Sequence, residues 1–319
     1  REESLTELEE KQKAKIPGAD TGIEIQHSLC AICSPTHHCG LDCYVKDGEI
    51  IRVEGMAGHP YSHGKLCTKG AAQRSYIYRE DRIQTPLKRV GQRGEGSFEP
   101  ITWEEAYRII AKRLNQVKQR YGPHSAAFYS GYSKWYRPIF QRFAYAFGSV
   151  NFGSDDSACV TAKKIADKVT AGCGGVADIP HASTFLGWNL DGYYSSHLSV
   201  EGVQKLKERG GKVIIIDIRD TPAARNLADI FLQINPGTDG ALALGMANLI
   251  MENGWADMEY VNRYTYGFEA YRELAAGYPL ERVSRITGLE PGDIYEAARI
   301  FATNGPACTN YSSSALVHH

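Results

Sequence analysis

The apolar positions of this chain follow two rhythms. From Glu24 to about Lys88 they form short strand-like runs broken by turns. Beyond Gly91, short apolar runs alternate with stretches of helical period. In the first region Leu41–Lys46 and Glu49–Glu54 flank Asp47-Gly48. Asp-Gly favours a two-residue hairpin, because both central positions need a positive φ. Ile50, Ile51 and Val53 favour the strand. The Gly- and Pro-rich tract Gly91–Pro100 predicts a loop or linker, and the charged first 24 residues predict an arm broken by Pro17, Gly18 and Gly22.

In the second region Thr102-Trp103-Glu104-Glu105 is a capping box. Ala106, Ile109, Ile110, Leu114 and Val117 continue it at helical spacing up to Gly122. Strands are predicted over Ala126–Ser130, Ser183–Gly187, Val213–Asp217 and Ile230–Ile234. Helices are predicted over Asp156–Ala171, Val203–Arg209, Ala241–Asn253 and Asp293–Thr303. This alternation predicts an α/β chain in which a small β-rich domain precedes a doubly wound parallel-sheet (Rossmann-like) domain. The expected bounds are an arm at 1–24, the β-rich domain at 25–90 and the α/β domain at 91–319.

Charge narrows the partners. Lys and Arg number 36 against 37 Asp and Glu, so nothing global pulls the chain toward nucleic acid or an anionic membrane. The longest β-branched aliphatic run, Val213–Ile216, falls far short of the ~18–20 residues of a membrane span. No secretory-signal pattern opens the chain, and a start at Arg1 leaves room for an upstream segment.

Cysteine is the residue that changes the picture. Five of the eight cysteines fall between Cys30 and Cys67, spaced C-x2-C-x5-C-x3-C-x23-C. A chain of 319 residues needs no disulfide staples to fold, so the cluster asks for a metal. Thiolates suit both zinc and iron–sulfur clusters, and the spacing leaves both open. Strand alternation puts Cys43 on one face with Leu41 and Val45, where it can pack into a core. That leaves Cys30, Cys33, Cys39 and Cys67 as ligands, with His37 and His38 as loop residues. Cys173 and Cys308 lack a comparable setting and read as structural.

The motifs carry a resemblance. Cys30-Ala-Ile-Cys33, Cys39-Gly40-Leu41, Val45-Lys46-Asp47-Gly48, Val53-Glu54-Gly55, His59-Pro60 and Gly64-Lys65-Leu66-Cys67-Thr68-Lys69-Gly70 occur in that order. Arg82-Ile83-Gln84-Thr85-Pro86-Leu87-Lys88, Trp103-Glu104-Glu105-Ala106, Val213 to Arg219, Ala228-Asp229 and Pro236-Gly237-Thr238-Asp239-Gly240-Ala241-Leu242 follow. This series resembles the N-terminal half of the molybdopterin oxidoreductases, the family of dimethyl sulfoxide reductase, formate dehydrogenases and acetylene hydratase. The resemblance implies a [4Fe-4S] cluster on Cys30, Cys33, Cys39 and Cys67, near a molybdenum or tungsten bis(pyranopterin guanine dinucleotide), also written bis(molybdopterin guanine dinucleotide). The Cys39–Cys67 gap of 27 residues fits the family's order. The Cys33–Cys39 gap of five is two longer, so His37-His38 look like an insertion, and Cys39 or Cys43 supplies the third ligand. The second cofactor-binding half and the C-terminal barrel of the family are missing, which implies a truncated sequence or a remainder on another chain.

The resemblance also assigns roles. Lys69, two residues after Cys67, would relay electrons between cluster and pterin. Cys159 would ligate the molybdenum or tungsten. A helix starting at Asp156 would put it in a first turn, where the dipole with Lys163 and Lys164 favours a thiolate. This setting looks nearer to acetylene hydratase, thiosulfate-type reductases and catechol dehydroxylases than to dimethyl sulfoxide reductase, which uses Ser. Asn189, Asp217, Arg219 and Asp239 sit just after predicted strands, where open parallel sheets bind ligands. Asp217 and Asp239 can accept from guanine or ribose, Arg219 can meet a phosphate, and Gly237 allows close backbone approach. Lys134-Trp135-Tyr136-Arg137 reads as a packed loop before a substrate funnel, and Asp178 with His181 as a structural hydrogen bond before an acid/base pair.

The function expected is therefore two-electron chemistry on a small-molecule substrate, with electrons relayed in either direction through the cluster, and with an iron–sulfur electron-transfer subunit and the remainder of the catalytic chain as partners. A prokaryotic anaerobe fits as source, in the cytoplasm or exported. Two alternatives stand beside it: an electron-transfer subunit that keeps the cluster without the pterin, and a zinc-stabilised α/β binding protein.

Overall fold

The computed structural model describes residues 13, 16–32, 38–131, 136–195 and 197–312. Two compact units divide the chain, residues 1–155 and 156–319.

The first unit opens with an antiparallel sheet, β1 (Glu24–Leu29), β2 (Gly40–Lys46) and β3 (Glu49–Gly55), in the order β1-β2-β3. Asp47 (φ 52°) and Gly48 (φ 80°) make the tight β2–β3 turn that their sequence predicts. The register slips between Tyr44 and Val45, a bulge that adds local twist. One face of the sheet buries Cys30, Cys39, Leu41 and Cys43, with Val45, Ile50, Val53 and Leu66 packed around them. Two short helices follow, α1 (Thr68–Ala71) and α2 (Gln73–Ile77).

The tract predicted as a loop at Gly91–Pro100 is partly paired. β4 (Leu87–Arg89) and β5 (Phe98–Pro100) form an antiparallel pair across it. Glu95 tightens the connection by accepting the Gln92 N–H at 2.8 Å. Thr102 caps α3 (Trp103–Tyr121) by accepting the Glu105 N–H at 3.2 Å. α3 buries no side chain fully. β6 (Phe128–Ser130), α4 (Arg137–Phe147) and β7 (Phe152–Ser154) close the unit, with β6 and β7 parallel. Phe128 meets Phe140, Phe143 and Phe147 edge to face.

In the second unit α5 (Thr161–Ala171) leads to β8 (Thr184–Trp188), α6 (Gly192–Ser195), α7 (His197–Glu208) and β9 (Lys212–Asp217). α8 (Pro222–Leu227), β10 (Ile230–Gln233) and α9 (Asp239–Glu252) continue the alternation. Three helices absent from the sequence prediction follow: α10 (Met258–Tyr264), α11 (Phe268–Ala276) and α12 (Leu280–Thr287). α10 buries none of its residues, so it leaves little periodic signal. α13 (Pro291–Thr303) then leads to β11 (Ala307–Tyr311), also absent from the prediction.

The four strands are parallel, in the order β10-β9-β8-β11. Their alternate residues feed two cores. Leu186, Ile214, Ile216 and Leu232 meet Leu242, Val283 and Ile294 on one face. Phe185, Val213 and Ile215 meet Val203, Leu206 and Leu227 on the other. Burial on both faces is why these strands are continuous aliphatic runs. The α/β class and doubly wound sheet expected from the sequence are thus observed.

Candidate functional site

Cys30 follows the last residue of β1 and Cys39 precedes β2. The Cys30 N–H donates to the Cys39 carbonyl at 2.9 Å, which closes the loop between them, and both side chains are buried. Cys67, half-buried, stands at the N-cap of α1. The segment between β3 and Cys67 is folded back on the sheet. Met56 N–H donates to the Gly40 carbonyl at 3.0 Å, and Gly64 N–H to the Met56 carbonyl at 2.9 Å. Ser62, fully buried, accepts the Gly40 N–H at 3.1 Å. A side chain at Gly55 would put Cβ 2.1 Å from the Gly64 carbonyl oxygen, so this turn demands glycine. The fold-back lays Leu66 on the buried cysteines, with Cys67 next in sequence.

Cys43 packs in the same cluster, on the face that strand alternation predicts. Burial, helped by the Asp42 charge, pushes its thiol above the ordinary range. Cys33 and His37 lie outside the described residues. Among the described residues no three Cys, His, Asp or Glu side chains converge to hold a single metal ion. Cys30, Cys39 and Cys67 form no disulfide. Thiols behind an apolar wall of Leu41, Val53 and Leu66 are a donor set that fits an iron–sulfur cluster. Lys69 is exposed in α1. Asp42 pairs with His27 Nδ1 at 2.8 Å.

In the second unit Cys159 is exposed and sits two residues before α5, rather than in its first turn. The predicted helix start at Asp156 is instead a 3-10 turn over Asp155–Ala158. The Asp156 carbonyl causes this, because it accepts both the Cys159 N–H at 3.2 Å and the Thr161 hydroxyl at 2.7 Å. Lys164 pairs with Asp156 at 3.4 Å and Lys163 with Asp167 at 3.3 Å, so carboxylates share the charge expected to favour the thiolate.

The parallel sheet of the second unit carries a separate group of candidate residues. From β8 the chain builds β9 and β10 to one side, and β11 returns on the other. Ligands of open parallel sheets bind beyond the carboxyl ends of strands at such a switch point. Trp188 ends β8, and Asn189 (φ 50°) follows it with its N–H on the Ile216 carbonyl at 2.7 Å. Asn tolerates this left-handed conformation better than most residues. Asp239 is not in a loop after a strand: it opens α9 and is buried. Its Oδ1 accepts from Trp188 Nε1 at 2.8 Å and from Asn189 Nδ2 at 2.7 Å.

Asp217 ends β9, also buried, and its Oδ1 accepts the Arg219 N–H at 3.0 Å. Burial raises its carboxyl, and the negative charge of Asp191 adds to the rise. Asp191, itself buried, accepts the Tyr193 N–H at 3.0 Å. Arg219 and Gly237 (φ 79°) are exposed. The structure thus brings Asn189 to Asp239, and Arg219 to Asp217. Trp188 and Asp191 are the members that the sequence reading omits. Trp188 lies one residue beyond the strand predicted over Ser183–Gly187, and Asp191 carries no signal.

Other candidates lie apart. Asp178 and His181 pair at 2.9 Å, both exposed, next to the amino end of β8. A cavity of about 290 Å³ there is lined by His181, Ser183, Arg209, Gly211 and Asn304, at the sheet edge opposite the switch-point end. Arg137 donates to Asp155 and to the Gly131 carbonyl at 2.8 Å, while 132–135 lie outside the described residues. Cys308 packs beside the Phe185 core, as expected of a structural cysteine. Cys173 is exposed, so packing does not account for it.

Comparison with known proteins gives a consistent picture. Residues 82–304 match the molybdopterin oxidoreductase family and residues 23–79 the molybdopterin oxidoreductase Fe4S4 domain. A probable oxidoreductase of Bacillus subtilis, YoaE, is 34% identical over 287 residues, which cover 88% of this chain and 42% of that protein. Acetylene hydratase of Syntrophotalea acetylenica is 34% identical over 300 residues, 91% of this chain and 40% of that one. The thiosulfate reductase molybdopterin-containing subunit PhsA of Salmonella typhimurium is 30% identical over 255 residues, 80% of this chain and 33% of that one. The solved structure of acetylene hydratase from Pelobacter acetylenicus superposes with a TM-score of 0.80 at 32% identity, over 91% of this chain and 40% of that one. The chain therefore spans about two fifths of the length of these first relatives.

Proposed function

The chain belongs to the molybdopterin oxidoreductase family, and from that premise we propose that it is the cluster-bearing, nucleotide-binding part of a catalytic subunit. The subunit would use a molybdenum or tungsten bis(molybdopterin guanine dinucleotide) and exchange electrons through a [4Fe-4S] cluster. When bound, the metal centre supplies an open coordination position and two-electron redox chemistry to a small-molecule substrate.

The chain's own residues do the holding. Cys30, Cys33, Cys39 and Cys67 would bind the cluster, with Cys43 packed behind them as a thiol. Lys69 would lend positive charge between cluster and pterin. Asn189, Asp217 and Asp239 would accept and donate to base and ribose at the carboxyl ends of the strands. Arg219 would neutralise a phosphate, and Gly237 would let the backbone approach it. Cys159, exposed before α5, would give its thiolate to the metal.

The observation that carries this reading is the convergence of Asn189 and Asp239 at the switch point of the parallel sheet. The test is elemental analysis of the intact protein for Mo, W, Fe and Zn, with its visible spectrum before and after dithionite. Four irons per chain, one Mo or W and a bleached visible band are the expected result. Iron without Mo or W would favour a pure electron carrier, and a colourless zinc protein would overturn both. An iron–sulfur electron-transfer subunit is the partner this chemistry calls for.

A further inference from the structure

Trp188 has no part in the chemistry proposed so far. Its indole N–H lies 2.8 Å from Asp239 Oδ1, and Asn189 Nδ2 lies 2.7 Å from the same oxygen. A carboxylate oxygen offers about two lone-pair positions. The protein itself therefore fills Oδ1, and Oδ2 is the acceptor left for a ligand. Each donor is fixed in turn. The Trp188 ring packs against the core shared by Leu186, Ile216 and Leu242. The Asn189 backbone is pinned to β9 through the Ile216 carbonyl. Asp239 is held on the first turn of α9. A carboxylate gripped on one oxygen by two donors from neighbouring residues cannot turn about its bond to Cβ.

We propose that Trp188 is a positioning residue that orients Asp239 for a guanine-type base. With Oδ1 occupied, Oδ2 faces the ligand in one direction. The Watson–Crick edge of guanine offers N–H donors from its ring and its amino group, which a carboxylate oxygen accepts. The same edge of adenine carries only one donor, its amino group, beside a ring acceptor, so Oδ2 gains at most one hydrogen bond there and meets a lone pair at the ring position. Fixing the carboxylate thus turns a general acceptor into a discriminating one. This inference rests on the reading of Asp239 as a nucleotide ligand.

The experiment uses the whole protein purified without its cofactor, with GDP and ADP as probes. Binding is followed by calorimetry and by tryptophan fluorescence in the wild type, Trp188→Phe and Asp239→Asn. The wild type should bind GDP more tightly than ADP, with a change in emission that Trp188→Phe lacks. Trp188→Phe keeps a ring in the core but removes the donor. It should lose about three- to tenfold in GDP affinity while ADP binding stays put. Unchanged GDP affinity in Trp188→Phe overturns the proposal. So does an equal loss for GDP and ADP, which marks a merely structural role. A wild type that ignores GDP overturns the nucleotide reading of Asp239 itself, and the inference falls with it.

Discussion

Tyr311, at the end of β11, donates its hydroxyl to Asp167 of α5, and Lys163 of the same helix lies over its ring at 3.7 Å. The edge strand is thereby tied to the helix that follows Cys159. The Tyr311 hydroxyl, and then Lys163, hold the Asp167 carboxyl below the usual carboxylate range. Burial, and then Asp167, push the Tyr311 phenol up.

Tyr311→Phe should therefore lower stability by about 1 kcal/mol in urea unfolding. The pH range of that loss follows from the two shifts. A carboxyl lowered in the fold stabilises it above its unfolded pKa, and the gain is lost as pH falls through the folded value. A phenol raised in the fold stabilises it below its unfolded pKa, and the gain is lost as pH rises through the folded value. The wild-type advantage should hold between about pH 4 and pH 10 and shrink outside that window. An advantage that ignores pH would remove this bond as its source.

Gly55→Ala should be among the most damaging single-methyl changes in the first unit. The new Cβ meets backbone, the Gly64 carbonyl oxygen, which cannot swing aside as a side chain can. A loss of about 2 kcal/mol or more, with poorer iron retention, is expected. Gly58→Ala, in the same segment with open space around it, serves as the control and should cost little.

Cysteine replacement separates ligand from packing. Cys43→Ala should cost about 1 kcal/mol and leave iron content and the visible spectrum intact. Cys39→Ala should lose both. The reverse pattern would make Cys43 the third ligand and undo the reading from strand alternation.

Asp217 offers a trade between stability and binding. Burial raises its carboxyl, so the fold favours the neutral form. That contribution is present below the unfolded pKa and lost as pH rises through the raised one. Asp217→Asn should thus be more stable than the wild type at neutral pH, with the difference fading in acid. GDP affinity should fall in the same variant. Thermal melts at two pH values beside a nucleotide titration would check both halves, and a variant destabilised at neutral pH would contradict the argument.

The elements that the sequence made legible are those with a local cause. The Asp47-Gly48 turn, the Thr102 cap and the aliphatic run Val213–Ile216 each name their own conformation. β11 does not, since Ala307–Tyr311 becomes a strand only because β8 offers a parallel edge. The same holds within the site. Asn189 and Asp217 stand at strand ends, as the sequence places them, whereas Asp239 opens α9. The Trp188–Asp239 bond joins residues 51 apart, and the charge of Asp191 acts on Asp217 across two different strand ends. Cys159 shows a third limit, where one doubly used carbonyl, that of Asp156, converts a predicted α-turn into a 3-10 turn.

The place of β11 beside β8 also sets a timetable. Thr184 and Asn304, whose side chain and backbone meet where these strands begin, are 120 residues apart along the chain. Contacts of such long range form slowly, because a large loop must close before they reward it. Until β11 docks, one edge of β8 stands bare, and bare edges invite foreign strands. The switch point beside β8 comes into being only when that edge is covered. β8 is made before the other three strands of its sheet, and it is the last to gain both neighbours.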